Sequence, residues 1–237
     1  MKFAIFRFLK STFIRLRLHV LFSWLTGFWQ QMTWMTRLSQ WVSVNRKVAF
    51  NDFPSGWDYN KRYDLYKYVI EKESLHAAIN YLEFGVADGH SFRWWMETNT
   101  HAASRFYGFD TFTGLPENFG PYKKGTFDTG NKIPIIKDER GKFYQGLFQQ
   151  TLPGFLKCFD NGKKLIIMLD ADLYTATLFT LTSLAPFLKK DDIIFFDEFV
   201  VPTHEFMAYR HFINSYYFDL ELTGAANNYY FVAFKVK

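Results

Sequence analysis

Two pairs of acids stand where they could do chemistry. Asp170 and Asp172 follow one apolar run, Leu165–Leu169, and Asp197 and Glu198 follow another, Ile193–Phe196. No Lys or Arg falls between Leu169 and Leu188, or between Asp191 and Tyr209. If the two runs are neighbouring strands, their tips lie about 5 Å apart. Four carboxylates then crowd one sheet edge with no cation from their own segments. Such groups raise one another's pKa, and a hard divalent cation bound through oxygen is the usual relief. The set suits a metal centre or acid–base work. Asp172 before Thr175, or Glu198 before Thr203, also suits the plainer role of helix N-cap. Zinc is a poor fit, because His204 and Glu205 form no H-E-x-x-H and Cys158 has no cysteine partner. His204 reads as an ordinary first-turn residue, and Cys158 as a buried packing residue.

A second constellation lies upstream. Gly85 and Gly89 sit between an apolar run ending at Phe84 and a helical stretch opening near Ser91. Glycines there allow a sharp turn, close approach of the backbone to a ligand, and a helix N-terminus aimed at it. The spacing departs from the dinucleotide G-x-G-x-x-G, which argues against a bound pyrophosphate. The next run ends at Phe109 and is followed by Asp110, at the point where a doubly wound sheet holds ribose hydroxyls. Packing alone explains such a glycine turn, and loop capping alone explains such an Asp. Together they favour an adenosyl ligand at the carboxyl edge.

The elements that must position these residues follow from periodicity. Short apolar runs at Ile79–Phe84, Arg105–Phe109, Lys142–Gln145, Leu165–Leu169 and Ile193–Phe196 predict strands. Helices are expected over about 58–75, 91–98, 148–159, 175–188 and 203–215. Between Asp110 and Lys142 three prolines and five glycines predict a long loop. Alternation of this kind implies a parallel sheet covered on both faces. Tyr217–Leu222 and Tyr229–Val236, separated by Thr-Gly-Ala-Ala-Asn-Asn, predict a closing antiparallel hairpin. The fold class is therefore α/β, a Rossmann-like, doubly wound, mostly parallel sheet with a C-terminal hairpin.

Residues 1–50 stand apart from residues 51–237. They hold eight Lys and Arg and no acid, whereas the remaining 187 residues hold 20 bases against 23 acids, so the net +5 is a basic arm on a mildly acidic globule. That division gives nucleic-acid binding little support. Disorder is excluded by a composition 49% hydrophobic and 21% aromatic, and a disulfide scaffold by a single cysteine. Phe6, Leu9, Phe13, Leu16 and Val20 recur at helical spacing, with Arg7 and Arg15 opposite and Lys10 and Arg17 flanking. This pattern fits a helix lying in a membrane interface. It also fits packing on the globule, dimerisation, or a transit peptide. The run Leu18–Thr36 is broken by polar residues, which argues against a spanning helix, and no A-x-A site follows.

Four segments taken together resemble the metal-dependent sugar O-methyltransferases of the macrocin/mycinamicin/novobiocin type, a branch of the class I S-adenosylmethionine methyltransferases. They are Glu83-Phe-Gly-Val-Ala-Asp-Gly-His-Ser91, Phe109-Asp-Thr-Phe-Thr-Gly-Leu-Pro-Glu117, Gln145-Gly-Leu-Phe-Gln-Gln-Thr-Leu-Pro153 and Leu169-Asp-Ala-Asp-Leu-Tyr-Thr-Ala-Thr177. The resemblance implies that Glu83, Gly85 and Gly89 surround the methionine end of S-adenosylmethionine and that Asp110 holds its ribose. Ser91 and Thr111 belong to the same cofactor-binding set. It further implies Asp170, Asp197 and Glu198 as ligands of Mg2+ or a similar cation, with Asp172 as general base. Glu198 departs from the second aspartate usual in the family. The implied reaction is metal-assisted methylation of a glycan hydroxyl, on a small-molecule or lipid-linked sugar. A cytoplasmic chain follows, peripheral at the inner face of the membrane if the arm binds lipid, with a homo-oligomer left open. Two other readings remain open, a nucleotide-dependent oxidoreductase and a membrane-associated, non-catalytic adaptor on a methyltransferase-like fold.

Overall fold

The computed structural model describes residues 2–237. Two helices, α1 (Lys2–Arg15) and α2 (His19–Val44), precede a short strand β1 (Phe50–Asn51) and helix α3 (Lys61–Glu73). Strands and helices then alternate through β2 (Ile79–Phe84), α4 (His90–Thr98), β3 (Arg105–Asp110), β4 (Gly141–Gln145), α5 (Phe148–Leu156), β5 (Lys164–Leu169), α6 (Tyr174–Leu184), β6 (Ile193–Phe196) and α7 (Glu205–Tyr216). The chain closes with β7 (Leu220–Ala226) and β8 (Phe231–Val236).

The eight strands form one sheet in the order β1-β7-β8-β6-β5-β2-β3-β4. Strands β6, β5, β2, β3 and β4 run parallel, and β8 pairs antiparallel with both β6 and β7. The five predicted parallel strands fall where the apolar runs placed them. β2 and β6 are buried along their whole length, as expected for strands covered on two faces. One face packs Leu82, Phe84, Phe109, Ile167 and Phe196 beneath α5, α6 and α7. The other packs Tyr81, Phe106, Ile166 and Phe195 beneath α3 and α4.

Three details differ from the sequence reading. Thr223–Ala226, expected in the hairpin loop, belongs to β7, because the turn is made later by Asn227, Asn228 and Tyr229 with positive φ. β1 has only two residues, too few for a periodic signal, and extends the sheet beside β7. Cys158, expected to be buried, is exposed. The long loop holds no helix among the described residues, as expected. It is ordered by backbone hydrogen bonds between Leu115 and both Thr126 and Gly125, and by a small apolar cluster of Leu115, Phe119 and Leu173.

The arm changes character at Trp34. Trp34, Leu38 and Trp41 lie on one face of α2 at spacings of four and three, and all three are buried. Trp41 packs among Phe199, Phe206, Tyr209, Tyr229 and Phe234. α1 buries no residue, and a break at Arg17, where φ is 50°, separates it from α2.

Candidate active site

Parallel strands end together at one edge, and here the ladder continues one residue past each strand. Gly85 donates its N–H to the Phe109 carbonyl, Asp170 to Phe84, and Asp197 to Leu169. The glycine turn and both acid pairs are thereby brought onto one cleft of about 440 Å³. Gly85, Asp110, Thr111, Asp170, Asp172, Asp197 and Glu198 all line it. The remaining walls are apolar and aromatic, with Trp57, Tyr59, Tyr122, Phe127, Phe148 and Tyr230 among them.

Gly85 is required by this convergence. Its φ is +93°, and a Cβ there would sit 1.7 Å from the backbone oxygen of Asp170. The turn can lie against the β5 tip only because no side chain intervenes. Asp110 fixes the same turn from the other side. Its Oδ2 accepts the N–H groups of Val86 and Ala87 at 2.7 and 2.8 Å, and its Oδ1 accepts that of Phe112 at 2.7 Å. The carboxylate therefore does the turn-holding work that sequence offered as the plainer reading, while still facing the cleft.

Glu83, Gly89 and Ser91 are not among the cleft-lining residues. Glu83 is fully buried beneath the turn and accepts hydrogen bonds from the hydroxyls of Tyr81 and Ser91. Burial pushes its carboxyl up to about 8. Gly89, with φ at +74°, starts α4 and packs against Pro134.

The acid pairs differ from the expectation in one decisive respect. Arg62, from the first turn of α3, reaches between them. Its Nη2 donates to Asp170 Oδ2 at 2.9 Å and to Asp197 Oδ1. The guanidinium is buried, lies over the rings of Tyr59 and Phe231, and donates from Nε to the Tyr66 hydroxyl at 3.1 Å. The four carboxylates are thus not left without a cation; it comes from a distant helix. Periodicity carried a signal for it. The buried face of α3 holds Leu65, Tyr66, Val69 and Ile70, and one turn earlier that face reaches Arg62. A buried Arg requires acids.

This arrangement does not fit a divalent cation. The two aspartates expected to bind one share a single guanidinium, and the third expected ligand, Glu198, accepts a hydrogen bond from the Tyr230 hydroxyl at 2.8 Å. Among the described residues no three of His, Cys, Asp and Glu converge as an ion-binding group. As placed here, Asp170 and Asp197 are held by Arg62, and Glu198 by Tyr230.

Asp172 does not cap α6 either. The cap position is Leu173, which makes no side-chain bond, and Asp172 adopts φ 58°. Its carboxyl lies beside that of Glu198 on the cleft wall. Burial, followed by the charges of Asp170, Glu198 and Asp197, pushes Asp172 up to about 9. Burial likewise raises Glu198. Beneath them Glu205 is fully buried and accepts the Glu198 N–H at 3.0 Å, and burial pushes its carboxyl well up. His204 precedes α7 and accepts the Tyr174 N–H, so it stays outside this cluster. The site combines a backbone turn for a ligand's polar end, an acid-rich wall with one fixed cation, and aromatic faces.

Comparisons with known proteins agree with this geometry. Residues 82–199 match the family described as "Methyltransferase domain". No curated protein sequence matches the chain. The calicheamicin methyltransferase CalS11 is similar in structure, with 19% identity, 86% of this chain and 91% of that chain covered, and a TM-score of 0.56. The O-methyltransferase NovP shares 18% identity over 74% of this chain and 79% of its own, with a TM-score of 0.60. An Mg-SAM structure of cmcI shares 15% identity over 84% of each chain, with a TM-score of 0.52. At these identities the likeness is one of fold.

Proposed function

We propose that the chain, whose residues 82–199 match a methyltransferase domain, is an S-adenosylmethionine-dependent O-methyltransferase acting on a sugar hydroxyl. The observation that carries this reading is the convergence of the glycine turn, Asp110 and the two acid pairs on one cleft. S-adenosylmethionine supplies an electrophilic methyl group on a sulfonium.

The residues present suit that cofactor. The Gly85 turn admits its polar end, Asp110 faces the cleft where a ribose hydroxyl would sit, and Phe148 offers an apolar wall. Four carboxylates against one guanidinium leave an acidic surplus, which complements a sulfonium and an ammonium.

A neutral alcohol is a weak nucleophile, and the Asp172–Glu198 pair answers that need. Burial and the neighbouring acids push both carboxyls of the pair up, Asp172 to about 9. A carboxylate of this pair takes the hydroxyl proton as the oxygen–methyl bond forms and the sulfur–methyl bond breaks. Arg62 pins Asp170 and Asp197 beside it, leaving alignment of oxygen and methyl group as the cleft's remaining contribution. The sugar assignment is supported by aromatic faces (Trp57, Tyr59, Tyr230) set beside acceptor carboxylates, a pairing that suits a polyhydroxyl ring. It is also supported by similarity in fold to CalS11, which one structure describes as a TDP-rhamnose 3'-O-methyltransferase.

Calorimetry with S-adenosylmethionine and with NAD, on the full chain, tests the reading. Binding of the first alone is expected, and binding of NAD alone would overturn it. Asp172→Asn should keep cofactor binding and lose turnover on any acceptor found by the mass gain of one methylene.

A further inference from the structure

We propose that residues 2–33 dock the chain on the surface of an anionic phospholipid bilayer. This inference does not depend on the reaction assigned above. From Lys2 to Thr33 no residue is buried, yet the segment is dense in large apolar side chains. Phe3 is 83% exposed, Phe6 75% and Trp24 77%. Soluble chains rarely leave so large a contiguous apolar surface uncovered. The globule does not cover it, because contact with the core begins only at Trp34.

Charge decides between the remaining occupants. Lys2, Arg7, Lys10, Arg15 and Arg17 lie within the first 17 residues, and no acid precedes Asp52. A second copy of the arm would bring cations against cations. An anionic bilayer offers the opposite sign together with an apolar interior boundary. No helix among the described residues is long and apolar enough to cross a membrane, so the arm lies along the surface. Trp24 and Trp29, both exposed, suit the headgroup level with an apolar ring and one N–H.

The base of the arm continues the charge pattern. A groove of about 570 Å³ between α2 and α7 is lined by Arg37 and Arg210 beside Trp34 and Trp41, with no acid in its lining. The arm is also tied to the cleft. Gln31 and Thr203 are hydrogen-bonded, and Trp41 packs on Phe199, in the loop that begins at Glu198 of the acid cluster. Docking would therefore hold the catalytic edge in a fixed relation to the bilayer, beside lipid-borne hydroxyls.

Vesicle flotation with the full chain tests the proposal. The expected result is binding to phosphatidylglycerol/phosphatidylcholine vesicles, absent on pure phosphatidylcholine, and weakening as salt rises from about 50 to about 500 mM. The full chain carrying Arg7→Gln, Lys10→Gln, Arg15→Gln and Arg17→Gln should partition roughly tenfold less or worse. These side chains touch no core residue, so the thermal midpoint should stay unchanged and show that the variant is folded. Equal binding to neutral and anionic vesicles would overturn the proposal, as would no binding, or a salt-independent dimer lost in the fourfold variant. Cofactor calorimetry on the same samples reports separately on the methyltransferase reading.

Discussion

Residues 2–33 and the globule draw on the same apolar and aromatic side chains and use them in opposite ways. In the globule Phe84, Phe109 and Phe148 interlock across a strand–helix layer, with ring centroids 4.8 Å apart for the first pair and 5.3 Å for Phe84 and Phe148. In the arm Phe13 meets Phe22 at 5.9 Å across the break between α1 and α2, and both remain exposed. The difference lies in what surrounds each face. A strand apolar on both sides can be satisfied by helices from the same chain. A helix ringed with Phe and flanked by cations, with no acid nearby, has no complementary face within the molecule. Hydrophobicity alone therefore does not say where a residue ends up; the sign of the charges beside it does.

If that contrast is right, substitutions in the globule should cost stability in proportion to how tightly their surroundings are specified, and substitutions in the arm should cost almost none. Gly85→Ala is the most severe test, because its Cβ would meet a backbone oxygen that no rotamer change can move. Loss of the folded state, or roughly 5 kcal/mol by denaturant titration, is expected.

Arg62→Ala comes next. It strands Asp170 and the buried Asp197, at a cost of about 3–5 kcal/mol. The variant should also acquire a thermal shift with Mg2+, because two aspartates are freed, whereas the native chain should show the same midpoint with Mg2+ or EDTA. A Mg2+-dependent midpoint in the native chain would sink the guanidinium reading.

Glu83→Gln probes a subtler dependence. The folded carboxyl sits at about 8 against an ordinary 4.5, so the fold binds a proton that the unfolded chain has released between those values. The associated stability is fully present below about 4.5 and is lost as pH rises through about 8. Denaturant midpoints of Glu83→Gln should therefore gain on the native chain as pH rises across that window. A constant difference would show that Glu83 does not titrate there.

The smallest effect belongs to the arm. Trp24→Ser should change the thermal stability by less than about 0.5 kcal/mol, since its side chain is exposed and touches no core residue. A cost of 2 kcal/mol or so by the same titration would mean that the arm packs on something and would break the comparison.

How much of this was legible beforehand depends on the range over which each feature is specified. The five parallel strands were readable because an apolar run such as Leu165–Leu169 has no other buried place to go. The glycine turn and the acids at strand tips were readable because parallel strands must end at a common edge. β1 was not readable, since two residues carry no period. Cys158 was misplaced because it lies just past the C-terminal end of α5, where the chain leaves the core. Glu83 and Ser91 lie beneath the turn, because the motif's acid sits on the buried β2 and its hydroxyl on the buried face of α4.

By itself the sequence determined which side chains meet at the carboxyl edge of the sheet, because strand direction and periodicity are local properties of each run. It determined also that the first 50 residues carry the excess positive charge. Only the tertiary structure decided what neutralises the acids. Arg62 lies 108 residues from Asp170 and 135 from Asp197, and it joins them only when α3 packs beneath β2 and β6. A charge balance drawn within each segment cannot contain such a partner, because electrostatic pairing depends on distance in space and not along the chain.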